Sequence, residues 1–540
     1  MKNYWLDERV NKKLKILTER FSQIQNELFI FARSGYWLVP ISWGLVIVYI
    51  SPRFGSAYSP DSFAYYLIGV NFISGWGYAS QAIRDFYLQV TPEFFQSSRS
   101  FPPLMPILVG IVEVLFKKGI TSGLLVNIFV LLTMFHAHFL LSRKIAGKYF
   151  WVAFLALSFF IVNNDSGDSF VAEIVSGRSI PLAALIYTLI LLTILNRKLT
   201  IRRSFFLGTL LGMLYLTRFD SLIFCLLLIG YIALEKITNM RWVVYGLLAS
   251  ILPWLFRNAI VFGNPFASDN SITAFSTYPS IVQISWFDNI PLLRDNPNLW
   301  ATQRLSYVIE NTKFVIGLLN PIGGFVTMAL SAFGLLSPNI PKNIKTYIVI
   351  AWLWLFSNLM TVSLTPYHDA RYFSLSVFVI GLSALLTVAT LLLDRFGINI
   401  KQNDDATIDN TTTQKYQQIV VVISLILSVG VVNYFVKSEI KSGDLNASAY
   451  QCLYDGFKDD VNKSDLVAYY AAEHLAYYSK WRTIYTPLNL SEPDKQFISW
   501  KKKLNVRYAI VPDGSSIAKH PKVIIKKKAC GALLVDLAEL

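Results

Sequence analysis

The sequence has few charged residues for its length. Only 15% of its 540 residues are Asp, Glu, Lys or Arg, whereas 54% are hydrophobic. Soluble globular domains carry about a quarter of charged residues, so this composition excludes a water-soluble enzyme and a disordered chain. It is typical of a protein that crosses a membrane many times.

Cysteine is also scarce. The three cysteines, Cys225, Cys452 and Cys530, show no metal-ligand spacing and no paired redox motif, which argues against a zinc module or a disulfide-stapled secreted domain. An oxidising space outside the cell would allow Cys452 and Cys530 to pair. We nevertheless expect two free, buried thiols.

Positive charge exceeds negative charge, with 49 basic and 34 acidic residues. These charges lie between long apolar runs, which indicates a bias of Lys and Arg towards one face of a bilayer rather than a nucleic-acid partner. The basic segment 1–34 lacks the apolar core of a cleaved signal peptide, so we expect it to be cytoplasmic. An amphipathic surface helix over 14–31 and a solvated leader both remain open for it.

Long apolar runs of about 17–25 residues predict membrane-spanning helices. We expect about eleven, at 35–51, 120–142, 149–163, 179–196, 204–217, 219–235, 241–262, 313–336, 344–364, 371–393 and 418–436. The fifth and sixth are short, but a single helix over both would be about 48 Å long, too long for a bilayer. Two short spans joined by a turn fit better.

The distribution of Lys and Arg predicts the orientation. With the N-terminus inside, the short inner segments hold 21 of them, more than the longer outer segments. Eleven spans then place the tail 437–540 outside, as an extracytoplasmic α/β domain. Within it the sequence predicts a helix over 465–478 and strands over 506–511, 523–525 and 533–535.

The first outer loop, 52–119, contains two apolar helix patterns too short to span. Ser59 is a good cap for the first of them, with Pro60 in the first helical position and Asp61 in the first turn. The second opens at Phe101 and runs to about Phe116. We expect both to lie along the membrane surface as amphipathic helices.

Five motifs carry a resemblance to a known family, in the family's order and on one predicted face. They are Asp61 after the first span; Gly75-Trp76-Gly77-Tyr78 with Pro102-Pro103-Leu104-Met105-Pro106; Leu216-Thr217-Arg218-Phe219-Asp220; Pro253-Trp254-Leu255-Phe256-Arg257-Asn258 with Phe262-Gly263-Asn264-Pro265; and Arg371-Tyr372. Over residues 35–393 the chain resembles the GT-C membrane glycosyltransferases, the superfamily of protein O-mannosyltransferases and aminoarabinose transferases.

This resemblance implies an all-α GT-C membrane module over 35–436 that moves a hexosyl or pentosyl group from a polyprenyl-phosphate donor. Asp61 occupies the family's catalytic position and would be the general base, with inversion at the sugar. Many relatives have a second acid after that Asp, whereas Ser62 follows it here. A divalent ion, Mg²⁺ or Mn²⁺, usually requires more than one carboxylate, and Asp165 is the second candidate ligand.

Further substrate-binding candidates lie on the same predicted face. Tyr65 is one turn beyond Asp61, and Asp165 and Glu173 lie in the next outer segment, where a plain polar turn is the alternative. A phosphate is best held by arginine, whose planar guanidinium donates two parallel hydrogen bonds. Arg218, Arg257 and Arg371 are the candidates, with His368 nearby. The alternative is that each arginine only reaches the lipid headgroups from a helix end.

The sequence therefore predicts a multi-pass protein, most simply of a bacterial inner membrane, that glycosylates a glycan, lipid or protein acceptor on the outer face. A multi-pass transporter or flippase of lipid-linked or polar substrates is the alternative. A transporter would be expected to show internal repeat symmetry and acidic residues buried in its spans, whereas the acidic residues of this chain lie in loops. A membrane scaffold built around the external tail is a third reading, in which Asp61 would be dispensable.

Overall fold

The computed structural model describes residues 59–83, 94–146, 170–195, 199–268, 297–319, 323–364, 370–395, 447–485, 501–502 and 505–539, with isolated positions at 41 and 44–45. Segment 1–34 and the predicted spans 35–51, 149–163 and 418–436 lie outside the described residues or almost entirely so. The described chain is mainly helical, with a mixed sheet near its C-terminus.

Fourteen α-helices are labelled here in chain order. They are α1 Pro60–Ile73, α2 Leu104–Phe116, α3 Ser122–Ala146, α4 Phe170–Val175, α5 Ile180–Ile194, α6 Ile201–Thr217, α7 Leu222–Leu234, α8 Met240–Phe262, α9 Pro297–Leu318, α10 Gly324–Leu336, α11 Lys342–Val362, α12 Ala370–Arg395, α13 Ala447–Phe457 and α14 Ala472–Ser479. Within the described residues, four stretches are long and apolar enough to cross a membrane: Gly119–Ile145, Met240–Phe262, Lys342–Val362 and Tyr372–Leu392.

The doubtful fifth and sixth spans are two separate helices. The chain leaves α6 at Arg218, whose extended backbone (φ −148°, ψ 112°) ends the helix, and a short 3₁₀ turn Phe219–Ser221 leads into α7. Helix α6 packs closely against α8, because Gly208 and Gly246 bring the two backbones together. Small residues at such contacts are typical of membrane helix pairs.

The predicted span 313–336 is wrong as a single helix. The structure divides it between the end of α9 and α10, and Gly323 between them has a positive φ of 84°. The sequence between the two helices contains Pro321, and proline lacks the amide hydrogen that a continuous helix needs. Gly324 then lies against the Ile316 carbonyl, where no side chain would fit.

The C-terminal sheet contains six strands: β2 Ala82–Ile83, β4 Leu466–Tyr469, β5 Arg482–Tyr485, β6 Tyr508–Pro512, β7 Ile524–Ala529 and β8 Ala532–Asp536. They lie in the order β2-β5-β4-β6-β8-β7. Two further strands, β1 Ala79–Ser80 and β3 Gln96–Ser97, pair with each other separately. Strand β2 belongs to the first outer loop and pairs in parallel with β5. The loop and the tail therefore share one sheet.

The predicted helix over 465–478 is partly wrong. Its first part is β4, which pairs in parallel with β5 and β6 and is buried along its whole length. A fully buried central strand reads as a plain apolar run, because its two faces are covered and no alternation marks it. Only the second part is helical, as α14.

Two further expectations are corrected. Cys452 and Cys530 form a disulfide, with Cα atoms 6.2 Å apart, so the expectation of two free thiols is wrong.

Helix α1 is not an amphipathic surface helix, because most of its side chains are buried and it packs against α2, where Gly69 and Gly110 bring the backbones together. Helix α2 does expose an apolar face, formed by Ile111, Val114, Leu115 and Phe116.

Candidate active site

The motifs that carry the family resemblance interlock around Tyr78. Its hydroxyl donates to the carbonyl oxygens of Phe101 (3.0 Å) and Pro102 (3.3 Å), which joins the Gly-Trp-Gly-Tyr turn to the following proline motif. Its ring packs edge-on against Trp254, with ring centroids 4.9 Å apart. Trp254 in turn stacks on Phe219 at 6.2 Å. Three of the five motifs therefore form one packed unit.

Arg257 ties this unit to helix α8. Its Nη1 donates to the Ser98 carbonyl oxygen (2.9 Å) and to the Asn258 side chain (2.8 Å), and its Nη2 donates to the Tyr78 carbonyl oxygen (3.0 Å). The guanidinium also lies 4.9 Å from the Trp254 ring centroid. Three of its five N–H groups are thus used within the protein. In this structure Arg257 clamps the first outer loop onto a span.

Asp61 lies in the first turn of α1, which begins where the sequence predicts. Ser59 caps the helix by accepting from the Ser62 amide at 3.4 Å, and Pro60 occupies the first helical position. The Ser62 hydroxyl donates to the Ser176 carbonyl oxygen. Asp61 itself is half-buried. The turn that presents Asp61 is therefore fixed from two sides.

Arg178 supports this turn and was missed by sequence reasoning. Its Nε donates to the Ser59 hydroxyl at 2.9 Å, and its Nη1 pairs with the Glu173 carboxylate at 2.5 Å. Asn127 holds the segment in place by donating to the carbonyl oxygens of Glu173 and Arg178, at 3.2 and 3.0 Å. A signal was present, since Arg178 is the one arginine in its predicted outer segment, as Arg218 is in the turn between its two spans.

Glu173 was predicted to bind substrate or a metal ion. The structure connects it to the Asp61 turn through Arg178, which donates to Ser59, but its side chain is fully buried and its Oε1 is bound to Arg178. A buried carboxylate needs such a partner, because removing an isolated charge from water is very costly. Glu173 therefore stands behind the Asp61 turn rather than at its surface.

Tyr65 brings the predicted residues into one electrostatic cluster. Its hydroxyl donates to the Ser179 side chain at 3.4 Å, and its ring packs edge-on against Phe101 at 5.0 Å. Burial raises the pKa of Tyr65 above its ordinary value, and the negative charge of Asp61 raises it further, while Arg218 acts against both. Tyr65 is therefore a neutral hydrogen-bonding group, close to both Asp61 and Arg218.

Arg218 faces this cluster from the turn between α6 and α7. It forms a two-pronged ion pair with Asp220, with Nε and Nη2 at 3.0 and 2.5 Å from the carboxylate oxygens. Burial alone would lower the pKa of the Arg218 guanidinium, but Asp220 raises it above the ordinary value, so the group stays charged. The Tyr372 ring covers it at 5.4 Å. The Nη1 edge is not engaged by Asp220.

The structure describes no side chain for the three remaining predicted site residues. Asp165 and His368 lie outside the described residues, and for Arg371 the structure describes only the backbone, at the start of α12. Tyr372 represents the Arg-Tyr motif in the cluster. Its carbonyl oxygen accepts from the Asn358 side chain at 2.8 Å.

The described donors do not by themselves form a metal site. Among the described residues no group of three His, Cys, Asp or Glu side chains is arranged to hold an ion. Asp61 is one carboxylate, and one Glu173 oxygen is bound to Arg178. A hard divalent cation takes several oxygen ligands, so Asp61 alone is not enough to hold one.

Comparison with known proteins gives a fold but no sequence family. No protein-family model matches the chain, and no curated protein matches its sequence. Its structure is similar to ArnT from Cupriavidus metallidurans in the apo state, with a TM-score of 0.55, 11% identity, and 94% of this chain and 98% of that chain covered. The same protein bound to undecaprenyl phosphate gives a TM-score of 0.52 at 11% identity, covering 92% and 98%.

A second similar structure is the apo form of the Archaeoglobus fulgidus oligosaccharyltransferase. The TM-score is 0.51 at 13% identity, with 88% of this chain and 69% of that chain covered. Identities this low establish the fold alone. With its four membrane-length helices, the chain is an integral membrane protein that has the GT-C fold expected from the resemblance.

Proposed function

We propose that the protein transfers a sugar from a polyprenyl-phosphate carrier to an acceptor hydroxyl, with Asp61 as the general base. The observation that carries the proposal is the cluster around Asp61. The half-buried Asp61 and the charged Arg218, which are distant in sequence, both act electrostatically on the buried Tyr65. The shared fold adds support, because ArnT, one of the similar proteins, has been crystallised bound to undecaprenyl phosphate.

The chemistry assigned to Asp61 follows from the reactants. A polyprenyl phosphate is a good leaving group, whereas an acceptor hydroxyl is a poor nucleophile until a base removes its proton. In the proposed step the acceptor oxygen attacks the anomeric carbon, the carbon–oxygen bond to the phosphate breaks, and Asp61 takes the hydroxyl proton. A single displacement of this kind inverts the anomeric centre.

Arg218 is the proposed phosphate contact. It acts on Tyr65, as Asp61 does, stays charged, and has an Nη1 edge that Asp220 does not engage. A phosphate bound there would have its growing negative charge stabilised as the donor bond breaks. Tyr65 would donate a hydrogen bond to the substrate. Arg257 is less suited to this role, because carbonyl oxygens already occupy it.

A donor panel tests this function. Purified protein in lipid vesicles is given undecaprenyl-phosphate-linked hexoses and pentoses, with a solubilised envelope extract as the source of acceptor. Mass spectrometry then follows the formation of undecaprenyl phosphate, with and without a chelator. We expect one donor class to be consumed by the wild-type protein and not by Asp61→Asn. Absence of consumption with every donor, or equal consumption by the Asn variant, would contradict the proposal.

We also propose that the cluster and the C-terminal domain lie outside the cytoplasm, in the orientation predicted from the Lys and Arg distribution. The disulfide supports an oxidising location for the domain. A membrane-impermeant maleimide tests this in intact spheroplasts. We expect Cys452 and Cys530 to be labelled from outside only after an impermeant reductant is added. Labelling that requires permeabilised membranes would reverse the orientation.

A further inference from the structure

Helix α1 presents two opposite faces to different parts of the molecule. Residues three or four apart share a face of a helix, so Asp61 and Tyr65 lie on one side and Phe63, Tyr66 and Leu67 on the other. The first face contacts the helices that carry the proposed site. The second face is covered by the C-terminal domain.

Phe63 is the centre of that second face. It is 3% exposed, and its ring centroid lies 4.1 Å from that of His474 and 5.2 Å from that of Tyr477. Helix α13 supports this contact from behind, because Tyr450 stacks on His474 at 5.2 Å and on Tyr478 at 5.6 Å. A buried aromatic stack thus connects the C-terminal domain to the residue two positions after Asp61.

The domain also holds the chain on either side of this stack. Tyr66 packs edge-on against Tyr477 at 5.1 Å, and the Tyr477 hydroxyl accepts from the Ile120 amide at 3.3 Å. The Thr483 amide donates to the Gln81 carbonyl oxygen at 3.0 Å, where β2 joins the sheet. Helix α1 and the loop that follows it therefore cannot shift without disturbing the domain.

We propose that the C-terminal domain positions Asp61 for transfer, and that Phe63 is the positioning residue through which it acts. The proposal rests on the proposed function for its activity readout. On the bundle side, the turn that carries Asp61 is held by hydrogen bonds such as that from the Ser62 hydroxyl to the Ser176 carbonyl oxygen. On the opposite side of α1 the C-terminal domain covers Phe63, and Tyr66 also donates to Glu113 of α2. Catalytic geometry tolerates errors of about 0.5 Å, so a loosened α1 would slow the chemical step.

Loss of the Phe63 contact should therefore lower the rate constant and leave donor binding unchanged. A displacement of about 1 Å at a reacting group costs about a hundredfold in rate. We expect Phe63→Ala to slow single-turnover transfer by about 10- to 100-fold, at an unchanged half-saturating concentration of undecaprenyl-phosphate sugar. Phe63→Leu, which refills most of the space, should recover part of the rate.

A matched pair of variants on α13 separates positioning from general destabilisation. Tyr450 stacks on His474, whereas Tyr454, one turn later on the same helix, packs on Trp481 at 5.5 Å. Tyr450→Ala should reproduce the rate loss of Phe63→Ala, while Tyr454→Ala should keep near wild-type transfer. Equal losses in the two tyrosine variants, or a wild-type rate in Phe63→Ala, would overturn the proposal.

Hydrogen–deuterium exchange gives a readout that needs no substrate. In Phe63→Ala we expect faster exchange over 59–73, with unchanged protection of β4 and β6 as proof that the domain remains folded. Unchanged exchange over 59–73 would also overturn the proposal. If wild-type protein consumes no donor, the proposed function has failed, and the exchange result still decides whether the domain holds α1.

Discussion

Arg218 and Arg257 have the same position in sequence terms and different surroundings in the structure. Arg218 directly follows the apolar helix α6, and Arg257 lies near the C-terminal end of the apolar helix α8. Each belongs to a motif of the family resemblance. Arg257 donates to two backbone carbonyl oxygens of the first outer loop and lies against Trp254. Arg218 pairs with the Asp220 carboxylate and acts electrostatically on the Tyr65 hydroxyl, as Asp61 does.

The difference shows what an arginine at a helix end can do. The partners of Arg257 in the first outer loop are neutral carbonyl oxygens, so its guanidinium holds that loop in place. The partner of Arg218 is an acid, which keeps the guanidinium charged while its remaining N–H groups point away from Asp220. This difference is why we propose a structural role for Arg257 and substrate binding for Arg218.

We expect the largest effect from replacing Asp61, the proposed general base. Asp61→Asn should fold, insert and bind the lipid-linked sugar, yet transfer it about 10²- to 10⁴-fold more slowly, because a positioned base contributes about that much. The measurement is single-turnover transfer with donor binding recorded in parallel. Near-normal transfer would remove Asp61 from the mechanism and make Asp165 the next carboxylate to test.

The next effect distinguishes the two arginines by their chemistry. Arg218→Lys keeps the charge and loses the planar fork, so we expect transfer by the folded fraction to fall by about tenfold or more. Some stability is lost as well, because the fork also bonds Asp220. Arg241→Lys, at an exposed position near the start of α8, is the matched control and should be nearly silent. Unchanged turnover in Arg218→Lys would withdraw the phosphate assignment.

Arg257→Lys should act mainly on stability. Its guanidinium makes hydrogen bonds that a lysine cannot all replace, and hydrogen bonds to a charged group are worth about 1.5–3 kcal/mol each. We expect a free energy of unfolding lower by about 2 kcal/mol, and transfer by the folded fraction reduced only a few-fold. A large loss of transfer at unchanged stability would make Arg257 a substrate contact instead.

Local features were predictable because their causes are local. The Ser59-Pro60 start of α1 follows from capping chemistry, and the break at Arg218 follows from the length limit on a membrane helix. The motif order indicated which residues to group, but not how. The contacts of Tyr78 with Trp254 and Arg257 join positions more than 170 residues apart, which no periodicity encodes.

The wrong and missed predictions have non-local causes. β4 gave the same apolar pattern as a buried helix, and only its neighbours β5 and β6 make it a strand. The pairing of Cys452 with Cys530 depends on a Cα separation that the folded domain alone sets. Arg178 lies in the outer segment for which a plain polar turn was the alternative. Its role is visible only in the fold, because its hydrogen-bond partner Ser59 is 119 residues earlier in the sequence.

The central claim is that Asp61 and Arg218 form one site and that Arg257 lies outside it. Two double-mutant cycles of single-turnover transfer, Asp61→Asn with Arg218→Lys and Asp61→Asn with Arg257→Lys, test it most directly. Groups that act together are non-additive, whereas independent positions add within about 0.5 kcal/mol. The account predicts a coupling of about 1 kcal/mol or more for the Arg218 cycle and additivity for the Arg257 cycle. Additivity in the first cycle with coupling in the second would contradict it.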